Sequence, residues 1–513
     1  MYRILTASKD NYITDKIINS SFRATDANVG QAATLDLFKL HAESVSGSNT
    51  TPNEISRALV KFNLNALKKL TGSFLDINKS SFNCTLKLFD VYGGQTCPSN
   101  FTLLVAPLSK SFDEGVGLNV VDFSDLDSSN FITSSIVSGT PISWEVTGAN
   151  KEGFLGSPNI DIITSGTLSG SSDTQNIALF KTQAFSSGDE DLSVDVTTIV
   201  SATLAGLIPD HGFRISYSGS QETDDFTRFV KRFASTQHSD YSKRPRLEVK
   251  YDNSVQDHHE SFFFNLSGSL FLNNFHRGTV ADIVSGSSAT RITGSDSLLL
   301  KLYSGSLASG TYYAKTVTAS QHKSGDNFIT GVYSASFAIS QWATGALENE
   351  IKNAGSATFT EIWSSLDETV GFATGTLVVK SVNRTAFNNQ SKRIVINVTN
   401  MQHEYRKNDV VRFRVFAEDI DRPIKFSKIP LESKSTIFTN MYFRVRDAVS
   451  NEVIIPFETD YRSTVCSTDS DGMYFDVYMD SLFPGRLYTL DFLVKDQGFD
   501  QIFTDSATKF RVV

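Results

Sequence analysis

A chain of 513 residues corresponds to about three or four domains. With 40% apolar and 20% charged residues it can build sizeable cores. Its net charge of −9 argues against a nucleic-acid-binding surface spread over the chain, so no nucleic-acid partner is expected. Three cysteines are too few for a disulfide framework; buried free thiols in a reducing cytoplasm are favoured over a Cys84–Cys97 pair. The start, Met1 to Asp10, has no apolar h-region, and no stretch approaches 18 uninterrupted apolar residues. Neither a signal peptide nor membrane insertion is expected.

Strand signals dominate. With 39 Phe and 16 Tyr the composition leans towards β structure. In chain order, Leu86–Tyr92, Gly212–Tyr217, Arg246–Tyr251, Val411–Phe416 and Met441–Arg446 largely alternate apolar and polar residues. That period of two places one face on a core and the other in water. Within residues 57–62, Ala58, Val60 and Phe62 share a face. Pro245 precedes a strand, where no ladder N–H is needed. Helical signals are confined to Asp195–Leu204 and Ala343–Lys352. Few helices among many short strands predict an all-β chain of tandem β-sandwiches.

Two boundaries are expected. Residues 252–260 read as a polar linker, and around Asn397 to Asn408 the composition changes. Four of the five Met residues lie beyond 400, and proline, absent after Pro245, returns at Pro423. The parts are therefore 1–252, 253–398 and 399–513. The Ser/Gly stretch 164–173 is too short and too interleaved with strand residues for a linker, and reads as a loop.

The motifs of the first part come in a particular order: Ala7–Ile13, Asn28-Val-Gly30, Ser56–Leu64, Cys84–Leu88, Ile142–Trp144, Asp195-Val-Thr197, Gly212–Ile215 and the closing Arg244–Tyr251. In that order, residues 1–252 resemble the DNRLRE family of extracellular, cell-wall and phage proteins. The resemblance implies a jelly-roll-like β-sandwich. Asn63 and Cys84 depart from the family's usual Asp and Ala, and long Ser-rich insertions around 110–190 bear on the loops rather than the fold. In the last part, Glu404–Asp409, Tyr442–Asp447, Ile454–Phe457, Ser467–Phe475, Ser481–Tyr488 and Phe510–Val513 are similar to segments of structural proteins from marine, T-even-like tailed phages. Strand spacing there suits an immunoglobulin-like sandwich.

Candidate chemistry is sparse. His258-His259, between Asp257 and Glu260, has ligand types but reads as a solvated linker, because a metal site needs ligands converging from rigid elements. Asp469–Gly472 reads as a β-turn, having no Glu at the spacing of a calcium loop. Asp122, Asp125 and Asp127 read as an acidic loop. There is no nucleophile elbow, Walker loop, zincin helix or Cys-x-x-Cys pair, and no catalytic, metal or cofactor residue is assigned. The densest basic cluster is Arg228, Lys231, Arg232, Lys243, Arg244 and Arg246, a candidate interface or polyanion contact, with ion pairing to neighbouring acids favoured. Trp144 is the candidate for stacking on a glycan, and core packing is its alternative, as for Trp342 and Trp363.

These readings lead to one expectation: a non-enzymatic virion component of a tailed phage, made in the host cytoplasm and placed at the neck, tail or baseplate. Its partners would be other virion proteins and copies of itself in a symmetric ring. Arg412, Arg414, Arg444 and Arg446 would blunt free edges or pair with a neighbouring subunit. The alternative is an adhesin or fibre module recognising host surface glycan. A polysaccharide-degrading enzyme rests only on acidic residues that a fold might pair.

Overall fold

The structure is a computed structural model that describes residues 1–44, 52–71, 75–167, 177–286, 289–304, 313–324, 327–381, 393–420, 435–496, 499–504 and 508–513. The chain is all-β, with three short α-helices among the described residues. It divides into two compact units, one of residues 3–71 and 82–250, the other of residues 1–2, 72–81 and 251–513. The expected loop at 164–173 lies mostly outside the described residues.

A ten-stranded sheet builds the first unit. Its main path runs Lys181–Phe185, Phe101–Pro107, Phe213–Tyr217, Asn53–Phe62, Tyr2–Thr14, Arg246–Lys250, Asn83–Leu88 and Leu192–Asp195. Thr34–His41 pairs with both Asn53–Phe62 and Arg228–Ala234. The two ends of the path are consecutive in sequence, and Gln183 joins them. Its Nε2 donates to the Asp191 carbonyl at 2.8 Å, and its Oε1 accepts from the Ser193 N–H at 2.7 Å. The sheet thus curls around an aromatic interior. Phe101 stacks on Phe185 at 4.8 Å, Tyr217 meets Phe101 edge-on, and Phe233 meets Phe185 edge-on.

Ala58, Val60 and Phe62 are buried on one face of their strand, as the alternation predicts. Leu59 on the opposite face is equally buried. The Ser-rich insertion explains this. Its Phe112, Phe131, Trp144 and Ile162 pack with Ile13, Leu59 and Ala106 into a second core outside the sheet. Two charges caught beneath the cover, Arg57 and Asp161, are held by several hydrogen bonds each. The Arg57 guanidinium donates to both Glu222 oxygens (2.9 and 2.7 Å), the Gly148 carbonyl (2.6 Å) and Asn150 Oδ1 (2.8 Å). Asp161 accepts the backbone N–H groups of Glu145, Val146 and Lys151 at 2.7–3.0 Å.

Two sets of sheets make up the second unit. Strands Ser267–Asn273, Asn327–Ala338, Ala314–Ser324, Leu298–Ser304, Ser356–Ser364 and Gly371–Lys380 form one antiparallel sheet in that order. Their inward residues share a single core with Phe262, Phe264 and the helix residues Leu347 and Ile351, so the sheet wraps round it. The helix runs Gly345–Ala354. Thr344 caps it by accepting the Leu347 N–H (3.2 Å), and Gly355 ends it at φ +71°.

In the C-terminal segment a four-stranded sheet (Ile394–Val398, Val410–Asp419, Gly472–Tyr478, Ser467–Asp469) faces a six-stranded one containing Met441–Asp447 and Leu487–Asp496. Phe413 and Phe475 of the first layer meet Phe443, Phe492 and Phe510 of the second, with Phe443 stacked on Phe475 at 4.2 Å. That is sandwich packing.

Two expectations are corrected here. Arg412, Arg414, Arg444 and Arg446 lie on interior strands, so they blunt no edge. Each is paired within the chain: Arg412 with Asp476, Arg414 with Asp469, and Arg444 and Arg446 both with the buried Asp491. The segment 252–260 is no free linker either. Gln256 bridges to Thr468, its Nε2 donates to the Cys466 carbonyl (3.1 Å), and the Thr468 hydroxyl donates to the Asp257 carbonyl (2.9 Å).

Candidate functional site

Residues 111–150 carry six acids (Asp113, Glu114, Asp122, Asp125, Asp127 and Glu145) and no Lys or Arg. Within them the loop 113–130 is clamped on Asn28, which is fully buried. Asn28 Nδ2 donates to the carbonyls of Glu114 (2.9 Å) and Ser129 (2.7 Å), and its Oδ1 accepts the Gly117 N–H (2.8 Å). A Cβ on Gly117 would lie 1.8 Å from the Asn28 carbonyl oxygen, and one on Gly30 would lie 1.9 Å from that of Glu114. The two backbones interlock because both positions are glycine. On this fixed backbone Val116, Leu118, Val121 and Leu126 are each more than half exposed. The expected acidic loop of Asp122, Asp125 and Asp127 is therefore also an apolar one.

The base of the loop holds a buried carboxylate. Thr236 donates its N–H to Asp10 Oδ2 (2.7 Å), and its hydroxyl lies 2.9 Å from Asp10 Oδ1 and 3.3 Å from Glu114 Oε1. Glu114 Oε1 accepts the Asp10 N–H at 3.0 Å. Burial pushes the Asp10 carboxyl up to about 7, against the Thr236 hydrogen bonds; Glu114 adds to the rise and Arg244 opposes it.

The six basic candidates do not converge on a shared opening. Arg228 is bidentate to Asp224 (2.8 and 2.6 Å), and that hydrogen bonding holds the Asp224 carboxyl well below the usual carboxylate range. Lys231 is fully buried: its ammonium donates to Asp90 and to the carbonyls of Gly188 (2.9 Å) and Glu190 (2.7 Å), over the Phe233 ring. Arg232 pairs with Asp36 (3.0 Å). Arg244 donates to the His238 carbonyl (2.9 Å) and lies over the Tyr241 ring, and Arg246 lies beside Glu248 and over Phe89. Lys243 is exposed. Five of the six charges are thus answered inside the fold.

Trp144 is 4% exposed, and its Nε1 donates to the Asn130 carbonyl at 3.0 Å. Neither ring face is open to a sugar, which corrects the stacking assignment; the second core under the insertion is the physical reason. Trp363 is buried as well, whereas Trp342 is 58% exposed.

His259 is the functional-type residue that the linker reading missed. Its Nδ1 lies 2.6 Å from Asp257 Oδ1, and its Nε2 lies 3.1 Å from Glu361 Oε2. Glu361 also accepts the Trp363 Nε1–H. Burial by itself lowers the imidazole pKa, but the hydrogen bonds to Asp257 and Glu361 push it up to about 10. A cation with both ring N–H groups donating makes a clamp between two buried carboxylates. The flanking Asp257 was the one visible signal, since Glu361 lies 102 positions away. Asp469–Gly472 is the turn between paired strands, with Asp469 Oδ1 accepting the Asp471 N–H (3.0 Å). The cysteines are free thiols, Cys84 and Cys466 buried and Cys97 half-buried.

No protein-family model and no curated protein matches the chain. Among solved structures it is similar to a titin substructure, A168169, at 6% identity and TM-score 0.15, over 49% of this chain and 93% of that one. A Corynebacterium diphtheriae protein described as membrane-anchored matches at 10% identity and TM-score 0.13, over 100% and 96%. E. coli alpha-2-macroglobulin matches at 9% identity and TM-score 0.12, over 98% and 35%. Scores this low carry neither fold nor function to this chain.

Proposed function

We propose that the chain is a non-enzymatic structural component of a tailed-phage virion, at the neck, tail or baseplate, assembling in symmetric copies with itself and with other virion proteins. One observation carries this: four apolar side chains of the loop 113–130 are held in water on a backbone locked by Asn28 and two glycines. A fixed loop loses little freedom on docking. Covering its apolar surface returns about 25 cal/mol for each Å². The phage context comes from the likeness of residues 1–252 and 399–513 to the families named above. Mass spectrometry of purified virions tests the reading: the chain should appear among the stoichiometric proteins, and its absence from intact particles sinks the proposal.

A glycan-binding adhesin is the second reading, favoured by the exposed indole of Trp342 in place of Trp144. On a glycan array the full chain should then bind sugars that Trp342→Ala does not. Equal signals from the two proteins count against it.

A further inference from the structure

Thr236 stands between two carboxylates that come from different segments. Asp10 belongs to the strand Tyr2–Thr14 and is fully buried, while Glu114 opens the loop 113–130 and is half-buried. Thr236 itself follows the strand Arg228–Ala234. A hydroxyl has one hydrogen to give. When both carboxylates are ionised, the Thr236 hydroxyl serves one of them, and two anions share a site largely out of water. A single added proton on Asp10 Oδ1 changes the pattern. That O–H donates to Thr236 Oγ across 2.9 Å, and the Thr236 hydrogen turns to Glu114 across 3.3 Å. Every short contact is then a hydrogen bond.

We propose that Asp10, Thr236 and Glu114 form a one-proton latch on the loop 113–130: protonated, they tie the loop to the sheet, and ionised, they let it loosen. The latch acts on the loop that the virion reading docks, but it is read in the isolated chain, so it can fail while the Asn28 and glycine interlock and the assembly reading stand. Its surroundings set the direction. Arg244 faces Asp10 from the segment after Thr236, and Lys9 faces Glu114 from the strand. Lys9 donates to the Phe112 carbonyl and is itself flanked by Asp113 and Lys61. These cations do not outweigh burial, which raises both carboxyls. A raised acid contributes stability at low pH that is lost as pH rises through its folded value. The latch therefore weakens from about pH 4 and is open above about pH 7.

Hydrogen exchange of the full chain, read by mass spectrometry and corrected for intrinsic rates, tests it. Amide protection within 113–130 should fall about tenfold or more between pH 5 and pH 8. In Asp10→Asn the side-chain amide donates to Thr236 Oγ in place of the proton, so protection should stay high at both pH values. Glu114→Gln removes the facing charge at a half-buried position and should lessen the fall without abolishing it, since burial still raises Asp10. It decides the matter by itself if Asp10→Asn does not fold. Protection in the parent chain that is independent of pH overturns the latch, and so does a fall that persists undiminished in the variants.

Discussion

Replacing His259 by Gln removes the cation that Asp257 and Glu361 share. The imidazole stands at about 10 in place of 6.5. At about 1.4 kcal/mol for each tenfold change, this bounds the clamp's contribution at about 5 kcal/mol. The side chain keeps 18% of its surface in water, which screens part of that. Two buried carboxylates losing their counter-ion then cost about 2–4 kcal/mol. A raised histidine contributes stability that is whole below about pH 6.5 and is lost as pH rises through about 10. The difference between parent and His259→Gln should thus be about 2–4 kcal/mol at pH 6 and shrink towards zero by about pH 10.5. Urea titrations at the two pH values measure it. Trp363 is a suitable fluorescence reporter because its indole bonds to Glu361. A loss below about 0.5 kcal/mol at pH 6, or an equal loss at both pH values, would refute the clamp.

Gly117→Ala should cost about 2–4 kcal/mol in a urea titration and open the loop 113–130 to thermolysin, because its Cβ meets the Asn28 carbonyl oxygen at 1.8 Å. Arg57→Met should cost about 3–5 kcal/mol by the same titration, since it leaves Glu222 without its bidentate partner beneath the insertion. Trp144→Ala should cost about 3–5 kcal/mol, and Trp342→Ala should stay within about 0.5 kcal/mol, a contrast that thermal unfolding reads directly.

Alternation was enough to find the strands Phe213–Tyr217, Arg246–Lys250 and Met441–Asp447, because apolar residues recur at every second position, but it did not show that Arg214, Ser216 and Glu248 on the polar faces are buried too. The helix expected at 343–352 begins two residues later, where Thr344 supplies the cap. Features decided by distant partners left no such trace. Trp144 is buried by Ile13 and Leu59, which arrive from strands far away in sequence. His259 looked solvated because Glu361, its second partner, is on a strand of the wrapped sheet. The four arginines of 412–446 alternate as edge residues do, yet sheet order places their strands inside, and local spacing does not encode sheet order. The interlock of Asn28 with Gly117 was half visible: Asn28-Val-Gly30 stood out as a motif, while its partner across 89 positions did not.

Assembly by surface burial is the central claim, and a cryo-EM map of the whole particle tests it most directly. The proposed role predicts copies of this chain repeated around the particle axis, with Val116, Leu118, Val121 and Leu126 covered by a neighbouring subunit. A complete particle map without this chain, or with those four side chains still facing solvent in every copy, would contradict it.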